Sequence, residues 1–190
     1  MRVILASASE RRHELLKKVV EDFEIKVSNF DEDSVKFLGD FSKYVIDLSK
    51  GKALEVGRQY MDEDVLIIGC DTIVAFDGRV LGKPKDKEQA FQMLKDLSGN
   101  THGVYSGITL INPKKSIIIS EAIYTEVRFS ELSDDEIWGY IRTGEPMDKA
   151  GAYGIQGFGG IFVEEIKGCY YNVVGLPINK LNKMLKSLNK

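Results

Sequence analysis

Twelve residues from Val65 to Phe76, Val-Leu-Ile-Ile-Gly-Cys-Asp-Thr-Ile-Val-Ala-Phe, make an almost unbroken apolar run. A run of this kind reads as an interior strand, covered on both faces by other elements. The Asp77-Gly78 pair that follows is a hairpin signal, so Arg79-Val80-Leu81 is expected to fold back against the run. Asp71 is the exception inside it. An unpaired carboxylate in such a strand is costly. It must be paired, stand at a strand end facing a cleft, or bind a metal; otherwise it caps its own backbone in a tight bend.

Strands and helices alternate on either side of this run. Arg2–Ala6 reads as a short buried strand, and Ser9 as the cap of a helix carrying Leu15, Leu16, Val19 and Val20. Phe23–Val27 alternates like a half-buried strand, and a helix is expected from about Ser42 to Tyr60. Asp86 and Gly99 bracket another helix. Two long strands, about His102–Ile111 and Ser116–Phe129, meet at an Asn112–Lys115 turn. Ser133 and Glu136 form a capping box for a helix that Gly144 stops. A glycine-rich loop spans Gly144 to Gly160, a strand lies near Ile161–Ile166, and Pro177 opens a last helix. This order predicts an α/β fold with a mixed central sheet and flanking helices. No linker or repeat interrupts residues 1–190, which read as a single domain.

Charge and cysteines exclude several functions. The chain has 190 residues and a net charge of -3, so bulk attraction to nucleic acid or an anionic membrane is not expected. Two cysteines and two histidines supply neither a disulfide framework nor a zinc site. No apolar run reaches membrane-spanning length, and the chain is expected to be cytoplasmic. Any polyphosphate ligand has to be held by a few placed cations.

Those cations stand where local physics disfavours them. Arg11 and Arg12 occupy the first turn of a helix, whose amino end already carries partial positive charge. Ser7, Ser9 and the helix N–H groups would complete a phosphate cradle; solvated arginines beside an ordinary cap are the equal alternative. Lys52 lies between Gly51 and Ala53, and Lys83 sits in the Gly82-Lys83-Pro84 turn. Both suit phosphate as point charges, and both are also ordinary surface residues. Glu32, in Asp31-Glu32-Asp33, offers a second carboxylate for Mg²⁺ or Mn²⁺. Tyr153 and Gln156, in the glycine-rich loop, offer stacking and an amide for a nucleobase. Cys70, His102 and Trp138 read as structural.

Taken together these segments resemble the Maf family of nucleotide pyrophosphatases. The likeness runs almost end to end: Ser7-Ala8-Ser9-Glu10-Arg11-Arg12, Asp31-Glu32, Leu48–Ala53, Gly69-Cys70-Asp71-Thr72, Gly82-Lys83-Pro84, Leu97-Ser98-Gly99 with His102, Asp148–Gly157 and Val174-Gly175-Leu176-Pro177. The resemblance implies an elongated α/β fold like that of inosine triphosphate pyrophosphatases, with two lobes around a cleft. It also implies metal-dependent cleavage between the α- and β-phosphates of a nucleoside triphosphate. By position Asp71 matches the family's proposed general base and Glu32 a metal-handling residue; the alternative for Asp71 is to help Glu32 hold the metal. Lys52, Lys83, Ser7, Ser9 and Arg12 match phosphate-handling residues. Arg11, Thr72 and Gln156 look like the branch acting on dTTP and UTP, modified uridine triphosphates included. The alternatives are a pyrophosphatase for 7-methyl-GTP or other non-standard purine triphosphates, and a non-catalytic nucleotide sensor in cell-division control. A homodimer is a further expectation. Glu10 departs from the family's usual proline, and Cys70 from its usual alanine.

Overall fold

The apolar run folds as one strand, β3 (Val65–Phe76), in a computed structural model that describes residues 1–188. Ten of its twelve residues are buried. The remaining strands are β1 (Arg2–Ala6), β2 (Glu24–Ile25), β4 (Arg79–Leu81), β5 (Thr101–Asn112), β6 (Ile117–Phe129) and β7 (Val163–Lys167). They form one sheet in the order β2-β1-β3-β5-β6-β7, with β4 paired to β3. Pairing of β1 with β2 and β3 is parallel, whereas β3–β4 and β6–β7 are antiparallel. The sheet is mixed, as the element order predicts. Helices α1 (Glu10–Leu16), α2 (Phe41–Gly57), α3 (Lys87–Leu97), α4 (Asp134–Arg142), α5 (Tyr170–Val174) and α6 (Ile178–Ser187) flank it.

The chain divides into two compact units. The first comprises Met1–Thr72, Ser106–Ile123 and the chain from Gly175 onward; the second comprises Ile73–Tyr105 and Tyr124–Val174. In the first unit, α2 buries Val45, Leu48, Ser49, Ala53 and Val56, spacings that return to one face of a helix. That face lies close on the strands because Gly69 and Gly107 lack a Cβ. A Cβ at Gly69 would strike the Ser49 carbonyl, and one at Gly107 the Val45 carbonyl. In the second unit, α3 and α4 pack through stacked rings of Phe91 and Trp138, 4.9 Å apart. Their core includes Leu94, Leu97, Phe129, Ile137, Tyr140, Tyr153 and Phe162.

Several local expectations need correction. Helix α1 stops at Leu16, so Val19 ends the turn beyond it and Val20 follows that turn. Strand β2 has two residues, both exposed, rather than a half-buried Phe23–Val27; at a sheet edge only one neighbour fixes it. The glycine-rich stretch forms three successive 3₁₀ turns, Glu145–Asp148, Ala150–Ala152 and Phe158–Phe162. Helix α5 had no distinct sequence signal, being only five residues long. The Asp77-Gly78 turn holds, with φ of 49° and 71°, as do the Asp86 cap and the Ser133–Glu136 capping box. No helix among the described residues is long and apolar enough to cross a membrane.

Candidate active site

Register places the first group of residues. Ala6 of β1 pairs with Gly69 of β3, so Ser7 leaves its strand level with Cys70, one residue before Asp71. This is the carboxyl end of β1, where ligands of parallel α/β sheets bind.

Asp71 is buried, at 7% exposure. Its Oδ1 accepts a hydrogen bond from Lys52 Nζ at 2.5 Å, and the same ammonium lies 2.8 Å from Glu32 Oε1. The sequence brings the three together by different means. Lys52 is four residues beyond buried Leu48 on α2, so its stem lies along the packed face. Glu32 opens a 3₁₀ turn, Glu32–Ser34, whose preceding Asp31 accepts from the Asp33 N–H at 3.2 Å. Exposure rises outward: the side chains of Asp71, Lys52 and Glu32 are 10%, 13% and 56% exposed. Burial alone would lower the Lys52 pKa, but the charges and hydrogen bonds of Asp71 and Glu32 outweigh it and raise it. Asp71 Oδ2 has no hydrogen-bond partner among the described residues.

Sequence reasoning did not single out Tyr44. It lies two helical turns before Lys52, and burial, then the charges of Asp71, Glu32 and Asp33, push its phenol pKa up. Its ring meets Phe37 edge-on at 5.6 Å.

The opening corner is built around Ser7. Its Oγ accepts from the Ser9 N–H at 3.2 Å and from Arg12 Nη1 at 3.4 Å, while its carbonyl oxygen lies 2.8 Å from His13 Nε2. Ser9 occupies the N-cap position, but its side chain makes no capping hydrogen bond. That corrects the expected serine cap. Glu10 takes the first helical position. Arg12 donates from Nε to the Gly175 carbonyl at 2.9 Å and from Nη2 to Thr72 Oγ1 at 3.1 Å. Arg11 is half-buried, with no side-chain partner among the described residues. Cys70 is fully buried, donates to the Gly175 carbonyl at 3.3 Å, and has its thiol pKa pushed up by burial. The structural reading of that thiol holds.

In the second unit, Lys83 is exposed just after β4, and Gln156 is exposed in the glycine-rich loop. Tyr153 is not available for stacking on a base. It is 6% exposed, its hydroxyl lies 2.8 Å from His102 Nε2, and its ring packs edge-on against Phe129. The sequence pattern could not show that this ring points inward. The loop is held by Glu145, another residue that sequence reasoning passed over. Its carboxylate accepts from Tyr140 Oη at 2.8 Å, the Phe158 N–H at 2.8 Å and the Gly159 N–H at 3.3 Å.

Two hard oxygen donors, Glu32 and Asp71, already converge on one cationic centre, the Lys52 ammonium. No group of three or more His, Cys, Asp or Glu gathers among the described residues to hold an ion. A pair of carboxylates suits a divalent cation such as Mg²⁺, which takes its other ligands from phosphate and water.

Comparison with known proteins follows the same lines. Residues 2–188 match the family described as Maf-like protein. A dTTP/UTP pyrophosphatase of Clostridium novyi (strain NT) is 63% identical over 184 residues, 97% of this chain and 96% of its own length. One of Clostridium beijerinckii is 59% identical over 188 residues, 99% of this chain and 100% of its own length. Among solved structures, the Staphylococcus aureus Ham1 protein superposes with a TM-score of 0.50. It is 14% identical and covers 98% of this chain and 99% of its own, a likeness of fold.

Proposed function

Because the chain belongs to the Maf-like protein family, we propose that it is a nucleoside triphosphate pyrophosphatase acting on dTTP and UTP. Its reaction is hydrolysis of the α–β phosphoanhydride, giving the nucleoside monophosphate and pyrophosphate. The structural observation that carries this reading is the buried Asp71 carboxylate, held on the Lys52–Glu32 pair beside the Ser7–Arg12 corner.

Each residue has a role that its chemistry supports. Asp71 Oδ1 is engaged by Lys52, which orients the carboxylate and leaves Oδ2 to accept a proton from the attacking water. Lys52 stays protonated between its two acids and supplies positive charge to the departing pyrophosphate. Arg12 keeps two N–H groups beyond its three internal bonds, and these suit a phosphate oxygen. Ser9, with its hydroxyl uncommitted to a cap, adds a donor. Lys83 takes the phosphate-handling role that the family resemblance gives it, and Arg11, Thr72 and Gln156 the base-selecting one. A divalent cation held by Glu32 and the phosphates would neutralise charge on the triphosphate, and Asp71 would be its second carboxylate ligand in the alternative to the base role. The enzyme is read as one domain that works in the cytoplasm, with a homodimer as its assembly.

The test is pyrophosphate release from dTTP, UTP, ATP, GTP and 7-methyl-GTP, with Mg²⁺ or Mn²⁺, for the native chain and Asp71→Asn. Turnover of dTTP and UTP that the substitution abolishes supports the assignment. Preference for 7-methyl-GTP, or full activity in Asp71→Asn, overturns it.

A further inference from the structure

Three of the five N–H groups of Arg12 are committed inside the chain. Nε donates to the Gly175 carbonyl at 2.9 Å, Nη2 to Thr72 Oγ1 at 3.1 Å and Nη1 to Ser7 Oγ at 3.4 Å. Bonds in three directions fix the plane of the guanidinium. The anchor is Gly175, whose φ of +127° is a conformation that side-chain-bearing residues rarely adopt. Its carbonyl also receives Thr72 Oγ1 and Cys70 Sγ, each at 3.3 Å. A single peptide oxygen near the carboxyl end of the chain thus ties together the phosphate corner and the residue after Asp71.

This arrangement dictates what the Thr72 hydroxyl can offer. A guanidinium only donates, so one Thr72 lone pair is used on Arg12. The single Thr72 proton goes either to Ser106 Oγ, at 2.8 Å, or to the Gly175 carbonyl. Both choices keep that proton within the protein. With the proton on either of these, at most one lone pair is left for a ligand, and Thr72 meets that ligand as an acceptor.

Resting on the function proposed above, we infer that Arg12 is a specificity-positioning residue. By donating to Thr72 Oγ1 it fixes that hydroxyl in place, and with the proton on Ser106 or Gly175 the hydroxyl accepts from the base. An acceptor there selects uracil and thymine, whose N3–H donates, over cytosine, whose N3 accepts. Arg12 can still touch phosphate with its two remaining N–H groups, but a phosphate contact alone acts on every triphosphate equally. A change in the ratio between bases is therefore the signature of positioning.

The experiment measures kcat/KM for UTP and CTP in the native chain, Arg12→Lys, Arg12→Met and Thr72→Val, with thermal unfolding of each as the control for folding. The native chain is expected to favour UTP. That preference should fall about tenfold or more in all three variants, the order expected for one hydrogen bond to substrate. The double variant Arg12→Lys/Thr72→Val should be no less selective than Thr72→Val alone, because both act on the same hydroxyl. If Arg12→Met does not fold, Arg12→Lys carries the test, since it keeps the charge but loses the three-way fork. Equal losses on UTP and CTP, with the ratio unchanged, overturn the inference while leaving the pyrophosphatase assignment standing. A native chain that treats UTP and CTP alike overturns it too. One that hydrolyses neither dTTP nor UTP overturns the assignment, and this inference with it.

Discussion

Lys52 Nζ lies 2.5 Å from Asp71 Oδ1, joining helix α2 to strand β3 at the single buried carboxylate among the described residues. The pair answers the problem that the sequence posed, a charge inside an apolar strand, and its two members should respond differently to substitution. Lys52→Met leaves a buried carboxylate without its counter-ion and should cost about 3 kcal/mol. Asp71→Asn keeps the shape and leaves Lys52 on Glu32, so its cost should stay within about 1–2 kcal/mol, while pyrophosphate release falls by about 100-fold or more. Urea midpoints and single-substrate rates separate the two; an active Asp71→Asn would contradict the role given to that carboxylate.

The close seat of α2 is a second point of attack. Gly69→Ala and Gly107→Ala each drive a methyl group into a helix carbonyl, and each should destabilise by about 2 kcal/mol. Their effects on rate should part company. Gly69 faces Ser49 and Ala53, one turn and one residue from Lys52, whereas Gly107 faces Val45. A larger fall in kcat is expected for Gly69→Ala, read from steady-state kinetics at a temperature where both variants are folded.

Buried His102 makes stability depend on pH. Burial lowers its pKa from 6.5 to about 4, so between these values the unfolded chain binds a proton that the folded chain excludes. The stabilisation is complete above about pH 6.5 and is lost as pH falls toward 4, by about 3 kcal/mol at most. Denaturant midpoints at pH 7 and pH 5 measure the loss. His102→Gln should flatten that dependence, and an unchanged slope would place its origin elsewhere.

Glu145 holds the loop that carries Gln156. Glu145→Ala removes acceptors for Tyr140 Oη and for two backbone N–H groups. Amide exchange at Phe158 and Gly159 should accelerate, with a stability cost of about 1–3 kcal/mol. Unchanged protection of both amides would show that the 3₁₀ turns hold without it.

Chelation should stop pyrophosphate release, and added Mg²⁺ or Mn²⁺ should restore it. The unfolding midpoint of the nucleotide-free chain should move little, because Lys52 already holds one oxygen of each carboxylate and most ligands have to come from substrate. A large rise in midpoint on adding the cation alone would instead indicate a preformed metal site.

The parts of the fold legible in the sequence are those that short-range physics decides. The β3 run, the Asp77-Gly78 turn and the Ser133–Glu136 box each carry their signal within a few residues. Strand β2 was misread because an edge position, not its own alternation, sets its burial. Tyr153 was misread because polarity in a loop does not reveal the direction of a ring. At the site, Asp71 announced itself by violating its surroundings, whereas Glu145 and Tyr44 looked like ordinary residues until their neighbours were known.

By itself the sequence determined the mixed α/β class, the anomalous carboxylate in the central strand, and the motif order that marks the family. Only the tertiary structure decided which cation Asp71 meets, that Ser9 leaves its helix uncapped, and that Arg12 is tied to Gly175 from 163 residues away. The reason is physical. Hydrophobic period, turns and caps act between near neighbours, but a hydrogen bond between distant segments depends on the register of the sheet and the close seat of a helix on two glycines, neither of which any local stretch encodes.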